Sequence, residues 1–394
     1  MKRNLNKLFV LLFPAILAII SAGCINDMDK DSELGKENDG KALLILKVRS
    51  GEDFPSLSEN EKMHSLRVIL LDDKGQPEQN EFYRFETSKV EEEISLMTIA
   101  GKKKVFLIAN EMGVDSYYSE LIDTGGKDFS EFLASVSSFG ENCEDILNSL
   151  VIYPNFKDNI IPQTSCYEAE LKTGDTQELT MHVVKAGIKV TFTFLNSRNE
   201  EVQLNQVRLS SFADRMYLMG HVGEKDYKKD GLYWVDWLCN VSKESQTHPD
   251  YDDNLDFNGK KGWITDYQLP EDTQHSMISF IETEEDPWKV DPQKTIENKD
   301  PELGELLKGP YYFSESSNIL TSGTTQQQYY LSLNIQDKEN NFTISRQLPN
   351  AKALFRNSHL DIEVNMAKGA TDIYVEIKAW TQSEEVYGTV DEED

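Results

Sequence analysis

The residue with the clearest chemistry in the sequence is Cys24, which follows the small residues at positions 21–23. Upstream, a basic start leads into an apolar run over residues 8–20, which is too short to span a bilayer as a helix. A peptidase that cleaves before the cysteine would leave it at the N-terminus, ready for acylation. We therefore interpret residues 1–23 as a signal peptide and predict that Cys24 is lipidated and holds the chain at a membrane. The alternative is a secreted protein with an unmodified cysteine.

Three further cysteines follow in the sequence, Cys143, Cys166 and Cys239. An odd number allows at most one internal disulfide, and no pair has the C-x-x-C spacing of a zinc or redox site. Cys143 and Cys166 fall within one predicted domain, so they are the candidate bridge. Three buried free thiols are the alternative.

No arrangement of residues typical of an enzyme occurs in the sequence. The histidines are scattered without the His-Glu-x-x-His spacing of a zinc protease, and no Gly-x-Ser-x-Gly motif or phosphate loop is present. Residues 254–259 imitate the start of a calcium loop, but Thr265 occupies the twelfth position, where a bidentate glutamate is needed. We predict a non-enzymatic protein without a metal site or cofactor.

A long acidic and aromatic segment, residues 221–310, is the most individual part of the chain. Long connecting segments often carry function, and exposed indole rings suit stacking on a sugar ring. The candidate surface for a partner or glycan consists of Trp234, Trp237, Trp263 and Trp288. The alternative is that these rings cover a hydrophobic core, as aromatic side chains usually do.

The chain is strongly acidic, with a formal net charge of −29. Residues 1–23 hold three positive charges and no negative one, so the chain without them is close to −32. Such a surface repels phosphate groups, which makes nucleic acid an unsuitable partner. Residues 24–40 are acidic with almost no apolar content, and we predict that they form a solvated tether after the lipidated cysteine.

A first β-rich domain is predicted over residues 41–178. Apolar runs typical of buried strands occupy residues 41–48, 66–71 and 104–109. We expect the first run to be buried on both faces and the last to be central in its sheet. Apolar residues at helical spacing over 128–139 and 144–150 predict short helices beside the sheet, with Asp128 as an N-cap.

A second domain is predicted over residues 179–394, with 221–310 as a long insertion. Apolar and polar residues alternate regularly in the strands of this domain, which indicates sheets with one buried face. Residues 188–194 form one such strand, 329–335 with 342–348 form a hairpin, and 360–366 with 373–379 form another. The pattern predicts a mostly antiparallel β-sandwich.

Four stretches, in this order, resemble the fimbrillin family, the type V pilus subunits of Bacteroidia. They are residues 66–71 together with 100–110 (AGKKKVFLIAN), residues 161–162 followed by 184–190 (VKAGIKV), residues 309–315 (GPYYFSE) and residues 356–360 (RNSHL). The segment that ends at Cys24 is similar to the lipobox of bacterial lipoproteins.

The resemblance implies a mostly β fold with two transthyretin-like antiparallel β-sandwich domains and a few short helices. It also implies export as a lipoprotein to the outer membrane, assembly into a cell-surface fimbria by donor-strand exchange, and a role in adhesion. The partners implied are other fimbrial subunits, with a host or bacterial surface ligand as a further one.

In the family, an arginine-specific protease removes the first strand, and a strand from a neighbouring subunit takes its place. By this resemblance Arg49, which follows the first strand, is the candidate cleavage point; a charged strand end is the alternative. The candidate donor strand is the segment 383–394, from which Val386 and Val390 would enter a groove. Two other roles remain open: an anchor or accessory subunit that keeps its first strand, and a glycan-binding surface lipoprotein.

Overall fold

The predicted fold class is confirmed by a computed structural model, which is mostly β and contains two β-sandwiches with a few short helices. The structure describes residues 40–50, 57–220, 228–229, 232–233, 269–281, 287–297, 310–315, 329–338, 340–348, 354, 356–367 and 370–379.

Ten strands belong to the first half of the described chain. They are β1 (Lys41–Arg49), β2 (Met63–Leu71), β3 (Pro77–Lys89), β4 (Glu91–Ile99), β5 (Gly101–Ala109), β6 (Tyr117–Ser119), β7 (Leu150–Ile152), β8 (Gln163–Leu171), β9 (Thr176–His182) and β10 (Val184–Lys185). Two short α-helices lie among them, α1 (Phe129–Ser135) and α2 (Cys143–Asn148). Short 3-10 helices cover Glu59–Glu61, Glu111–Gly113, Val136–Asn142 and Lys157–Asn159.

The first sandwich packs a five-stranded sheet, in the order β10-β8-β5-β2-β3, against a three-stranded sheet, β4-β1-β9. β5 lies at the centre of the larger sheet, antiparallel to both neighbours, as its dense apolar sequence predicts. Val68 and Leu107 on this sheet face Leu44 and Leu46 on the other, and all four are fully buried. This core is therefore mostly aliphatic, with Tyr167 as its one buried aromatic residue among those described.

The helices cover the opposite face of the five-stranded sheet, so the first half has three layers. The Asp128 side chain accepts a hydrogen bond from the Ser130 N–H at 3.0 Å, which confirms the predicted cap of α1. Phe129 and Leu133, at helical spacing, are buried against Phe106 of β5 in the same cluster. Both predicted helices are present, although each is shorter than its apolar pattern.

The second half of the described chain contributes thirteen strands. They are β11 (Ile188–Asn196), β12 (Val202–Ala213), β13 (Met216–Tyr217), β14 (Lys228–Lys229), β15 (Leu232–Tyr233), β16 (His275–Ser279), β17 (Trp288–Val290), β18 (Thr295–Glu297), β19 (Tyr311–Phe313), β20 (Tyr330–Gln336), β21 (Asn341–Gln347), β22 (Ser358–Ala367) and β23 (Ala370–Ala379).

The second sandwich consists of the sheet β18-β11-β22-β23, with β19 also paired to β11, and the sheet β16-β12-β20-β21, with β17 also paired to β12. Both predicted hairpins are confirmed as β20 with β21 and β22 with β23. The pairing of β11 with β22 is parallel, and the other pairs of this sandwich are antiparallel.

The predicted insertion is partly wrong, because residues 221–310 are not all outside the sandwich. β16 and β17 hydrogen-bond to β12, and β18 hydrogen-bonds to β11. These strands are short and their sequences alternate weakly, so periodicity alone does not reveal them. They are identified by long-range pairing.

The structure also moves the division between the halves from 178/179 toward residue 187. A cut at 178/179 would run through β9, which pairs in parallel with β1 of the first sandwich. Met181 and Val184 are buried in the first core, whereas the second core begins at Ile188. β9 thus completes the three-stranded sheet.

The two halves are joined by a buried arginine. Arg356 has no exposed surface, and its guanidinium makes a two-point ion pair with Glu315. The same group donates to the backbone carbonyls of Tyr217 and Leu218, at 2.6 and 2.7 Å. Tyr217 is the last residue of β13, and β13 pairs with β7 of the first half. The guanidinium therefore holds the second sandwich at the point where the second half pairs with the first.

Cys143 and Cys166 are both free and buried, so the candidate disulfide is wrong. They lie in the same apolar cluster beside α2 and β8. Burial raises the pKa of the Cys143 thiol to about 12, and the neighbouring charge of Glu144 adds to the effect. A thiol of this kind stays protonated and unreactive at neutral pH.

We predict that iodoacetamide at pH 8 leaves Cys143 and Cys166 unmodified in the folded chain, since the protonated, buried thiol is a poor nucleophile. After unfolding in guanidinium without reductant, both should be alkylated fully, as peptide mass spectrometry would measure. Labelling that requires a reductant would instead show a disulfide.

Candidate functional site

The candidate functional site is the position of β1 in the first sandwich, which we call the β1 slot: β1 itself with its neighbours β4 and β9. β1 pairs with β4 in antiparallel orientation along all nine of its residues. On the other edge it pairs in parallel with β9 over residues 43–49. β1 is therefore the central strand of its sheet, and both of its backbone edges are hydrogen-bonded.

One face of β1 supplies part of the first core. Ala42, Leu44, Leu46 and Val48 are 3, 0, 0 and 0% exposed. Burying the three larger side chains stabilises the fold by roughly 5–9 kcal/mol. The opposite face is only partly buried, so the predicted burial on both faces is wrong. The apolar residues of this outer face, Leu43 and Ile45, are of intermediate burial.

Loss of β1 would leave two kinds of unsatisfied surface. β4 and β9 would each present a row of backbone donors and acceptors to water, and the opposed sheet would expose its apolar face. An extended segment with alternating apolar residues could fill both needs at once, as in strand addition. Any segment in this position must therefore be extended and apolar on its inner face, as β1 is.

The outer face of the β1 slot is lined by charges of opposite sign. Lys47 forms an ion pair with Glu178 of β9, and Arg49 pairs with Glu91 of β4. A hydrogen bond and the charge of Glu178, with smaller contributions from Glu93 and Glu91, raise the pKa of Lys47. β1 is basic on this face, and the strands beside it are acidic.

The peptide bond between Arg49 and Ser50, the candidate cleavage point, is part of the sheet. The Arg49 carbonyl accepts a hydrogen bond from the Val183 N–H at 2.8 Å, and the Ser50 N–H donates to the Val90 carbonyl at 2.9 Å. The Arg49 side chain is partly exposed, but Ser50 is only 1% exposed. The backbone on both sides of this bond is therefore occupied.

Ser50 is held by a buried polar cluster, which we call the Ser50 clasp: Ser50, Glu61, Gln163 and Lys185. The Ser50 hydroxyl donates to the Gln163 side-chain oxygen, and the Lys185 ammonium lies 3.3 Å from the Ser50 carbonyl oxygen. Gln163 in turn donates to the Glu61 carbonyl at 3.0 Å. The Glu61 carboxylate pairs with Lys189 of β11 at 2.8 Å, which links the cluster to the second sandwich.

The clasp continues into the second sandwich through Asn357. The Asn357 N–H donates to the Lys185 and Gly187 carbonyls, and its side-chain oxygen accepts from the Lys185 N–H at 3.3 Å. Asn357 has φ +62°, a left-handed conformation that asparagine tolerates well. Tyr312 also reaches the cluster, and burial together with the Glu61 charge raises the pKa of its hydroxyl.

Trp288, one of the four predicted surface tryptophans, is instead a core residue. It is 8% exposed and packs edge-on against Phe194 with ring centroids 5.9 Å apart. The prediction of a partner surface is therefore wrong for Trp288, and the alternative of a ring that covers the second core is correct. Several other predicted site residues lie outside the described residues: Cys24, Trp234, Trp237, Trp263, Val386, Val390 and the 254–265 segment.

The clasp was not predicted from the sequence, because its members are far apart along the chain. Ser50 and Gln163 are 113 positions apart, and Ser50 and Lys185 are 135 apart. The one available signal was Lys185 in the VKAGIKV stretch, where a charged residue interrupts an apolar run.

Among the described residues, no group of three or more side chains is arranged to hold a metal ion. No helix among them has both the length and the apolar character needed to cross a bilayer.

Comparison with known proteins identifies the fold. No protein-family model and no curated protein matches the sequence. Among solved structures, the tip fimbrial protein Mfa3 from Porphyromonas gingivalis with C-terminal truncation aligns with a TM-score of 0.50 at 10% identity, over 86% of this chain and 100% of that one. A fimbrial assembly protein from Parabacteroides distasonis ATCC 8503 aligns with a TM-score of 0.42 at 12% identity, over 86% and 98%.

The chain thus has the two-sandwich fold that is found in Mfa3. This is the fold that the resemblance to the fimbrillin family implies, and at this level of identity the likeness concerns the fold alone.

We predict that the inner face of β1 contributes far more stability than its outer face. Leu46→Ala should lower the free energy of unfolding by about 2–5 kcal/mol, because it leaves a cavity in the first core. Lys47→Ala, the matched control on the outer face, should cost under about 1 kcal/mol, because it removes only a surface ion pair. Urea denaturation measures both. Equal effects would show that β1 is not docked in the slot.

We also predict that the folded chain resists cleavage at Arg49. An arginine-specific protease should release the Ser50 N-terminus at least about 30-fold more slowly than from a peptide of residues 45–54, because the folded site must open first. Gln163→Leu should speed cleavage about tenfold by removing the acceptor for Ser50. The control is Asn80→Ala, which removes buried hydrogen bonds of the same sandwich away from the clasp.

N-terminal sequencing over time gives the cleavage rates. Cleavage of the folded chain as fast as the peptide would contradict the protection. Equal acceleration by Asn80→Ala and Gln163→Leu would show that general destabilisation, rather than the clasp, controls the rate.

Proposed function

We propose that the protein is a non-enzymatic subunit of a cell-surface fimbria, exported as a lipoprotein through Cys24 and held at the outer membrane before or during assembly. The observation that carries the proposal is the position of β1, central in its sheet, with its inner face fully buried. The shared fold with Mfa3, a tip fimbrial protein, supports the same function.

The slot supports assembly by donor-strand exchange on physical grounds. Exchange needs a strand whose removal exposes backbone groups and an apolar groove, because an incoming strand then gains both hydrogen bonds and burial. β1 meets both requirements, since it is hydrogen-bonded to β4 and β9 and its inner face is buried in the first core. Its last residue is an arginine, Arg49. A role in adhesion follows from this function, with other fimbrial subunits as partners.

A second role, an anchor or accessory subunit that keeps β1, is favoured by the Ser50 clasp. The bond after Arg49 lies in the sheet, and Ser50 is buried. Residues 50–66 contain no arginine, so the connection after β1 offers no other arginine for cleavage. The glycan-binding alternative has one candidate residue fewer, because Trp288 is buried in the second core.

The test is the intact mass and N-terminal sequence of the protein isolated from the surface of the cells that produce it. We expect the chain in high-molecular-weight assemblies, beginning either at Ser50 as an exchanged subunit or at acylated Cys24 as a subunit that keeps β1. Cys24→Ala should remove the acyl mass and release the chain from the membrane fraction, since no lipid then holds it.

A matched pair of variants separates assembly from anchoring. If the C-terminal segment is the donor strand, Val386→Asp should prevent this chain from binding the neighbouring subunit that receives the strand. Thr389→Asp, on the opposite face of an extended strand, should leave that subunit bound. Monomeric protein alone, both on cells and after arginine-specific proteolysis, would overturn the proposed function.

A further inference from the structure

We propose that the β1 slot selects its occupant and rejects the C-terminal segment of a second copy of this chain. The strand that fits has four alternating apolar residues on its inner face and basic residues among those on its outer face. We infer that the occupant that replaces β1 is a strand of this pattern from a different subunit, and not residues 383–394 of a second copy. The inference rests on the proposed function, because it concerns which strand can replace β1.

The inner face of the slot requires four apolar residues in succession. In β1 these are Ala42, Leu44, Leu46 and Val48, all of which contact the first core. None of the four positions reaches water, since the most exposed is only 3% accessible. A polar side chain at any of them would be buried without a partner, which is costly for a charged group.

The segment 383–394 (SEEVYGTVDEED) does not meet this requirement in any register. If Val386 and Val390 point inward, Gly388 lies between them and the next inward residue is Glu384 on one side or Glu392 on the other. Four inward positions therefore always include a glycine and a glutamate. Reversing the strand direction changes the order but not the composition.

The opposite face of the segment fits still less well. With that face inward, each run of four alternate residues contains Tyr387, Thr389 and at least one carboxylate from Glu385 or Asp391. Glycine in place of leucine leaves a cavity in the core, and an unpaired buried carboxylate adds a desolvation cost. Shape and polarity both exclude the segment from the slot.

Charge on the outer face points the same way. β1 brings Lys47 and Arg49 against Glu178 and Glu91, and Glu93 lies directly opposite Lys47 in the register. The segment 383–394 contains six carboxylates and no basic residue. Like charges that lie opposite one another on neighbouring strands are destabilising. The acidic residues of β4 and β9 thus favour an occupant with a basic outer face, in addition to the apolar inner face that the core requires.

The experiment uses the full mature chain with a specific protease site inserted in the 51–56 segment, so that β1 is cut free but stays in place. The nicked protein is incubated with an excess of fluorescent peptide, and exchange is followed by anisotropy and by the mass of the complex. The two main probes are peptides of residues 41–50 and 383–394.

Two control peptides separate the two requirements. One is the 41–50 peptide with Lys41, Lys47 and Arg49 all replaced by Glu, which keeps the inner face. The other carries Leu46→Glu, which keeps the outer face. We expect the natural 41–50 peptide to exchange, the charge-reversed one to bind about tenfold more weakly, and both the Leu46→Glu peptide and 383–394 to bind at least about 100-fold more weakly.

The outcomes separate the inference from the proposed function. If 41–50 exchanges and 383–394 exchanges within tenfold of it, the selectivity is overturned while the exchangeable slot stands. If no peptide exchanges with β1 after the cut, the selectivity and exchange at the slot are both overturned, and only the role of a fimbrial subunit that keeps β1 is left. Exchange of 41–50 with rejection of 383–394 supports both.

Discussion

The first sandwich depends on one strand that is hydrogen-bonded along both edges. β1 brings together β4, which follows after two intervening strands, and β9, which follows about 130 residues later, and these have no direct pairing with each other. Leu44, Leu46 and Val48 then close the core over the five-stranded sheet. Because the ladder and the core share the same nine residues, the three-stranded sheet has no stable form without an extended apolar segment in this position.

The junction between the halves is built from buried charges rather than from apolar surface alone. Arg356 pairs with Glu315 and also binds the backbone carbonyls of Tyr217 and Leu218, at the point where β13 pairs with β7 of the first half. Lys185 contacts Ser50 and Asn357. Removing one member of such a group leaves a buried charge unpaired, which costs more than the pair contributes. The arrangement therefore favours one relative placement of the two chain segments over alternatives in which these groups would be unsatisfied.

Local patterns in the sequence predicted the elements but not the way in which they meet. β1, β5, both helices and both hairpins follow from apolar spacing, since their burial is set by the period of the strand or helix. The short strands β16, β17 and β18 carry little periodicity, so they were assigned to an insertion. Trp288 was a candidate for the partner surface because it lies in that same segment, with burial in the second core as the alternative. Ser50, Gln163 and Lys185 come together only in the folded chain, and residue type alone did not mark them.

The clasp and the slot are linked, because Ser50 is the first residue after β1. When β1 occupies the slot, Ser50 fills the position between Gln163 and Lys185, and Lys185 in turn binds Asn357 of the second half. In the proposed exchange, a strand from another chain would replace the ladder and the core contacts of β1, but the clasp would be satisfied only if Ser50 stayed where it is. Such an exchange would change the slot alone if Ser50 were retained, and would disturb the junction if it were not. The contacts of β1 with the slot and the contacts of Ser50 with the clasp therefore meet at the Arg49–Ser50 bond.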